Sequence, residues 1–422
     1  MRQRLPWRFL LLWSGQLLSG LGTGMTGFAL GVHVFRTTGS ATGFAMVILA
    51  LFVPSIVLRP VGGLLADRMD RRSLIVFGDI GSAAAVVFIL LNLHRGEWTL
   101  AQIYLGVAVN SASTALQNPA YKACVSDLVP EEQYSRAGGL VQLAASVQHL
   151  LAPLLAGLLL ATAGLQTVLL LDIATFSVAV AAVLSIRTNV LPRQSVAPGK
   201  ILPDLKEGSA ALLKDRSVFE TVLVISVVTF FVGLLQTLFP PMMLASTDSR
   251  TLGIVQSVSA SGMLLSSFLI GVRGLPARSR SLFSVAVGLA GLFVFLMAVS
   301  RGIPGITAFF FLFFLCLPVI NSSAEVQIRT RIPNQMQGRA WGMVGLLTQL
   351  GYIVAYLSGG ILADHLFAPL LMADGLLADS VGRVVGTGPG RGIALMLCCA
   401  GVGLAITGAA KLHRERKGAY QS

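Results

Sequence analysis

The sequence predicts an all-α membrane protein of twelve transmembrane helices, arranged as two pseudo-twofold six-helix bundles, and three observations predict it. The first is composition. With 55% hydrophobic and 12% charged residues and a mean hydropathy of +0.79, the chain has too little polar surface to cover a soluble globule. The second is length. At about 20 residues per crossing, 422 residues hold roughly a dozen spans joined by short loops and little else. The third is a repeat. Val129-Pro130-Glu131-Glu132-Gln133-Tyr134-Ser135-Arg136-Ala137-Gly138-Gly139 aligns at one constant offset with Ile332-Pro333-Asn334-Gln335-Met336-Gln337-Gly338-Arg339-Ala340-Trp341-Gly342, and the same offset carries Asn118 onto Asn321. The match runs from helix 4 into helix 5 and from helix 10 into helix 11, so the repeating unit is six helices. Six is even, which gives both copies the same sense across the membrane and relates them by an axis along its normal.

The elements follow from the apolar runs in order. Helix 1 (8–34) begins behind Arg2, Arg4 and Arg8 in the manner of a signal peptide, but its apolar run is too long and no Ala-x-Ala cleavage site follows. Helices 2 to 6 are predicted at 42–65, 74–93, 99–121, 136–161 and 165–186, and helices 7 to 12 at 217–243, 251–273, 281–300, 304–329, 338–363 and 390–412. Between the halves, residues 187–216 carry Pro192, Pro198 and Pro203 among basic residues, the composition of a linker. The predicted organisation is an N-terminal bundle (1–186), a cytoplasmic linker (187–216) and a C-terminal bundle (217–422). The outer connection from Asp364 to Pro389 is the longest, and its Leu376–Val385 run is predicted to rest on the membrane surface.

The formal net charge of +13 comes from bases spread over many loops, with no basic stripe and interleaved aromatics, which excludes a nucleic-acid interface. Placing both termini in the cytoplasm puts most of the 31 Lys and Arg on the inner side, as the positive-inside rule requires. The four cysteines form neither a CxxC pair nor a disulfide framework. No Ser/His/Asp, Cys/His or metal-ligand constellation falls on one membrane face, so neither an enzyme, a metal site nor a cofactor is predicted.

Between helices 2 and 3 the chain reads Gly63-Leu64-Leu65-Ala66-Asp67-Arg68-Met69-Asp70-Arg71-Arg72. Bases at a tight turn belong on the cytoplasmic side, and a glycine there lets helix ends approach. With 6+6 helices and this loop, the chain resembles the major facilitator superfamily over essentially its whole length, although Asp70 stands where the general pattern has Gly. Within the superfamily it is similar to the macrolide-efflux and enterobactin-exporter branch. That closer likeness rests on Trp13-Ser14-Gly15-Gln16, Phe28-Ala29-Leu30-Gly31, Thr38-Gly39-Ser40-Ala41-Thr42, Gln117-Asn118-Pro119-Ala120-Tyr121, Gln337-Gly338-Arg339 and Gly388-Pro389-Gly390-Arg391-Gly392. The resemblance implies proton-motive export, with Gly63, Asp67, Arg68, Arg71 and Arg72 forming a conformational latch. Two departures from drug:proton antiporters stand out. Helix 4 lacks their Arg, and helix 5 keeps only part of their Gly-Pro run, as Ala152-Pro153-Leu154-Leu155-Ala156-Gly157. The equivalent loop after helix 8, Gly271 to Arg280, keeps the glycine and bases but not the acid.

Ionisable groups inside hydrocarbon are functional candidates because an uncompensated charge there costs several kcal/mol. Arg59 and Asp79 lie about 9 and 8 Å above the inner ends of helices 2 and 3 by helical rise, a shared depth that predicts an ion pair, structural or proton-linked. His149 lies mid-helix beside Gln148, with an ordinary pKa near 6.5 suited to proton exchange, against the plainer reading of a hydrogen-bonded interhelix histidine. Glu325 sits in a polar patch and is either a proton site or the partner of Arg329 one turn on. Asp172 reads as a helix-end hydrogen-bonding acid. Gln117, Asn118, Gln148 and Asn321 are polar candidates for a cavity, or amides that hold helices together. Gly20-x-x-x-Gly24 and Gly27-x-x-x-Gly31 are close-packing positions or a smooth cavity wall. The glycines from Gly386 to Gly392 lack a phosphate-loop lysine and read as a loop before helix 12.

The sequence therefore predicts a monomeric inner-membrane carrier that exports hydrophobic or amphipathic small molecules of drug, macrolide or siderophore type in exchange for protons, its partners being the substrate, protons and the bilayer. The alternatives are an uptake carrier for a polar nutrient and a non-transporting membrane sensor.

Overall fold

The computed structural model describes residues 5–96, 98–186, 215–274, 279–332, 337–372 and 374–419. Among these residues are twelve long helices: α1 (Trp7–Thr38), α2 (Ala41–Arg68), α3 (Arg71–Arg95), α4 (Leu100–Leu128), α5 (Tyr134–Thr162), α6 (Gly164–Leu184), α7 (Arg216–Leu244), α8 (Ser249–Arg273), α9 (Ser279–Val299), α10 (Ile303–Arg331), α11 (Gln337–Leu362) and α12 (Arg391–Ala419). Eleven are long and apolar enough to cross a membrane. The exception is α4, whose length suffices but which carries Asn110, Ser111, Ser113, Thr114, Gln117, Asn118 and Lys122. Most of the predicted linker, residues 187–214, lies outside the described residues.

Local chemistry fixes the helix ends. The connection from α2 to α3 is only Met69 and Asp70, and Asp70 is the N-cap of α3. Its carboxylate accepts from the Ser73 amide (3.0 Å) and the Ser73 hydroxyl (2.7 Å), satisfying donors the helix leaves open. This is why an acid serves where the superfamily pattern has Gly. Burial pushes the Asp70 carboxyl up, but the Ser73 bonds and the nearby Arg72 outweigh it and hold its pKa below the ordinary aspartate value. Thr99 and Gln102 form a reciprocal capping box on α4, and Asp215 caps α7 through the amides of Ser217 and Val218.

The chain divides into two compact units, one of residues 1–39, 46–196 and 248–257, the other of 40–45, 197–247 and 258–422. In the first, α1 packs on α5 and α6, and α3 packs on α4 and α6. In the second, α7 packs on α11 and α12, and α9 packs on α10 and α12. Each pairing in the first unit recurs six helices later, so the sequence repeat is also a repeat of packing. Two apolar clusters brace the first unit, one joining Phe9, Leu12, Leu74, Ile75, Cys124 and Val183, the other Leu30, Val34, Val86, Ile89, Leu169 and Phe176. Large apolar side chains such as Val57, Phe77, Leu105 and Phe268 are more than half exposed, a surface that suits lipid and not water.

The close-approach glycine before the α2–α3 turn is Gly62, not Gly63. A Cβ at Gly62 would stand 2.6 Å from the Ala115 carbonyl oxygen and 2.9 Å from Leu116 Cα, whereas one at Gly63 would meet nothing within 4 Å. The bases of the turn bind within the first unit. Arg71 pairs with Asp127 at 2.6 Å, and Arg72 donates to the Val183 and Leu184 carbonyls at the end of α6. Arg68 is exposed, and the Asp67 side chain lies outside the described positions, as do those of Gln337, Gly338 and Arg339.

The connection from α11 to α12 is partly helical and partly folded back on itself. A π-helical stretch, Ala363–Phe367, prolongs α11 to Leu370, and the remainder folds back through Leu377 N to Leu370 O (3.1 Å) and Gly388 N to Leu371 O (2.9 Å). Leu371 and Val385 are buried by this fold, while Leu376 and Val384 stay exposed. Within the second unit the π-helical turn aims Asp364 at the N-terminus of α2. There it accepts from Ser40 Oγ, Thr42 Oγ1 and Thr42 N at 2.7–2.9 Å and from Ala41 N at 3.0 Å.

Candidate functional site

The first unit contains a cavity of about 550 Å³ between α1, α4 and α5. Its polar lining comes from Gln16 and Ser19 on α1, from Gln117, Asn118, Tyr121 and Lys122 on α4, and from Gln148 and His149 on α5, set in an apolar wall of Leu17, Val141, Ala144, Ala145, Ala152 and Phe176. Residues 114, 117, 118, 121 and 122 recur at the spacing of one helix face, which explains why α4 is the polar helix. Gly20 and Gly24 serve both roles considered for them. They line the cavity, and they let α5 approach, since a Cβ at Gly20 would overlap the Gln148 side-chain amide and one at Gly24 would stand 2.8 Å from Ala152 Cβ.

Behind this wall lies Asp79, fully buried on α3. Its carboxylate accepts from Gln117 Nε2 at 2.8 Å, Gln16 Nε2 at 3.1 Å and Ser19 Oγ at 3.4 Å. Gln117 Nε2 also donates to Gln16 Oε1 at 2.9 Å, so two cavity glutamines and the acid form one network. The predicted ion pair with Arg59 is absent among the described residues. Arg59 is exposed, free to reach water along its flexible stem, while Asp79 turns to α1 and α4 and finds only neutral donors.

The other candidates separate. Gln117, Asn118, Gln148 and His149 meet on the cavity, whereas Glu325 is half exposed and pairs with Arg329 at 2.6 Å in the i,i+4 geometry. Asn321 is exposed on α10. Asp172 is not at a helix end. It lies mid-way along α6, fully buried, and binds Thr26 Oγ1 on α1 at 2.6 Å and Thr175 Oγ1 at 3.5 Å. Gly22 makes the room, because a side chain there would overlap the Asp172 carboxylate.

Two residues of the cavity lining escaped the sequence reading. Lys122 directly follows the motif Gln117–Tyr121 and lies one turn from Asn118, a spacing that marks it as a cavity residue. Gln16 carries no charge, and only the fold brings it to Asp79. Trp13 anchors the same stretch by donating its indole N–H to the Leu140 carbonyl at 2.8 Å, which fixes α1 against α5. Lys122 and His149 are the basic side chains of the lining, and no carboxylate lines it. An organic cation would find its countercharge only behind two amides. Among the described residues no group of His, Cys, Asp and Glu is placed to hold a metal ion.

Comparison with known proteins assigns this architecture. The chain is 26% identical over 375 residues to macrolide efflux protein A of Streptococcus pyogenes, covering 85% of this chain and 90% of that protein. It is 25% identical over 380 residues to the multidrug efflux pump Tap of Mycobacterium tuberculosis, covering 88% of each. In fold it matches a bacterial homolog of the human lysosomal transporter Spinster, in an inward-facing and unoccupied conformation, with a TM-score of 0.73, 14% identity, and coverage of 97% of this chain and 96% of that one. The POT family transporter PepTSo gives a TM-score of 0.72 at 11% identity with full coverage of both. The sequence profile of the Major Facilitator Superfamily matches residues 12–356, and the chain belongs to that superfamily of membrane transporters, not to an enzyme family.

Proposed function

We propose that this transporter exports hydrophobic or amphipathic small molecules of the drug, macrolide or siderophore type by alternating access, driven by proton entry. The substrate rests against the α1/α4/α5 cavity, and the proton is exchanged at Asp79. Similarity to macrolide and multidrug efflux proteins supports the direction and the substrate class. In this reading the chain is a monomer of the inner membrane with both termini and residues 187–216 in the cytoplasm, and its base-rich ends support that orientation.

The observation that carries the proposal is a buried carboxylate with no cation beside it among the described residues, tied to the cavity by two glutamines. An ionised carboxylate only accepts, so Gln16 and Gln117 must turn their NH2 groups toward Asp79. Gln117 Oε1 is then left without a protein partner among the described residues and is available to a substrate hydroxyl or N–H. When Asp79 takes a proton, it becomes a donor and requires an acceptor. The Gln117 amide turns over, its oxygen faces Asp79, and its NH2 faces the cavity. A substrate held through Gln117 Oε1 thus loses its acceptor whenever Asp79 is protonated, and competition between proton and substrate for one state of the site is what exchange requires. His149 lines the same cavity.

Transport into inverted membrane vesicles tests this with a panel of dyes and macrolides, with and without collapse of the pH gradient. The expected result is gradient-dependent accumulation by the wild type and none by Asp79→Asn. Accumulation insensitive to the gradient would remove the proton coupling, and full activity of Asp79→Asn would remove Asp79 from it.

A further inference from the structure

The second unit has its own cavity, of about 200 Å³, at the end where α7 finishes and α12 begins. Arg301 and Arg391 both line it, with Ser246, Thr247 and Ser300 between them. Guanidinium groups stay charged at any physiological pH, and two sharing one cavity repel unless something negative lies between them. Among the described residues neither forms an ion pair. Arg301 is exposed; its Nη2 donates to the Arg383 carbonyl at 2.7 Å and to the Val384 carbonyl at 3.2 Å, which orients the side chain and leaves several N–H groups without a protein partner among the described residues. No carboxylate lines the cavity. Asp248, next in sequence to Thr247, gives its carboxylate to the Thr251 amide at 2.8 Å.

The remaining polar groups do not substitute for a counterion. The hydroxyls of Ser246 and Thr247 donate to the Met243 carbonyl, and that of Ser300 donates to the Leu296 carbonyl, so their hydrogens are spent. The donors left facing the space are the two guanidiniums. Arg391 is the first residue of α12, where the helix dipole adds positive potential. Gly386 keeps its guanidinium in place. At φ +98° a side chain would be strained, and its Cβ would stand 3.2 Å from Arg391 Nε.

We propose that Arg301 and Arg391 form a binding site for a phosphate group, held by the paired N–H forks that match oxyanion geometry. At ~30 Å³ per water the cavity has room for about seven water volumes, enough for one tetrahedral oxyanion with part of its hydration. The glycine run from Gly386 to Gly392, which lacks a phosphate-loop lysine, borders this site because arginines from α12 and from the turn before α10 replace that lysine. The phosphate is supplied either by a phospholipid headgroup or by free anion in solution.

The test is the thermal stability of the purified protein in neutral detergent. Wild type, Arg391→Gln, Arg391→Lys and Arg301→Gln are titrated with phosphatidylglycerol, with phosphatidylcholine and with sodium phosphate against sodium chloride of equal ionic strength. The wild type is expected to gain stability saturably, with half-saturation shifted at least tenfold in Arg391→Gln and restored in part by Arg391→Lys. Saturation by sodium phosphate identifies the free anion, and saturation by the lipids alone identifies the headgroup. A wild type that responds to none of the phosphates, or an equal response from Arg391→Gln, overturns the proposal. Because the wild-type titration decides by itself, a variant that fails to fold does not rescue the idea.

Discussion

The two fully buried acids of the first unit and the acids at the start of α7 in the second are held in opposite ways. In the second unit, Glu220 on α7 meets Lys411 Nζ at 3.0 Å, Arg216 Nε at 3.3 Å and Arg414 at 4.0 Å, and Asp215 meets Arg331 at 3.1 Å. In the first unit, Asp79 and Asp172 have amides and hydroxyls only. A carboxylate paired with a base resists protonation, because neutralising it strands a cation. One held by neutral donors can gain or lose a proton with no cation left behind, and its neighbours answer by rotating. On the proposed reading, charge pairing at the ends of α7, α10 and α12 holds the scaffold, and neutral bonding at Asp79 serves the proton exchange. Asp172 shares the neutral environment but not the link to the cavity, so its bond to Thr26 acts as a pin between α6 and α1.

Five substitutions break or sharpen this contrast. Asp79→Asn has the largest expected effect on function. Gradient-driven export falls to the vesicle background, while melting of the purified protein changes by no more than ~1 kcal/mol, since Asn keeps the shape and most hydrogen bonds. Lys411→Met inverts the pattern. Lys411 is only 5% exposed, and its loss leaves Glu220 with the exposed Arg216 and Arg414. A stability loss of about 3 kcal/mol is expected from denaturant titration, with gradient-dependent transport per folded molecule retained.

Asp364→Ala removes four hydrogen bonds from the start of α2, and a loss of about 1–2 kcal/mol follows from the ordinary worth of a helix cap. A pH titration of stability adds a signature from the capping acids. The pKa of Asp215 is lowered: burial pushes it up, but the Val218 amide and Arg331 outweigh this. A carboxyl whose folded pKa is depressed contributes stability above its ordinary pKa and loses it as pH falls through the folded value. Asp70 and Asp215 should therefore weaken the fold only below the usual aspartate range, and Asp70→Ala should flatten that acid limb. Glu325→Gln has the smallest effect, ~0.5 kcal/mol or less for an exposed i,i+4 pair, with transport unchanged. Loss of proton-driven transport in Glu325→Gln would shift the coupling site to α10 and end the contrast.

Much of the fold is legible in the sequence because membrane spans announce themselves by length and hydropathy, and the repeat from Val129 and Ile332 predicts the packing seen in both units. Four cavity residues, Gln117, Asn118, Gln148 and His149, are legible as polar groups interrupting apolar runs. What the sequence hides are partners distant along the chain. Depth alone paired Asp79 with Arg59, yet helix rotation turns Asp79 to Gln16 and Gln117 and leaves Arg59 exposed. Asp364, read as the start of an outer loop, is a cap delivered by a π-helical turn that no periodicity marks. Arg301, in the turn before α10, and Arg391, at the start of α12, are far apart in sequence, and only the folded second unit joins them.

The most direct measurement is proton release on substrate binding by the purified protein in weak buffer, using the macrolide or dye that the vesicle panel selects, added to wild type and to Asp79→Asn. The account predicts that substrate drives protons off the wild type and none off Asp79→Asn, which still binds. Equal proton release from both would contradict it, because the exchanging group would then lie elsewhere than the acid held by Gln16 and Gln117.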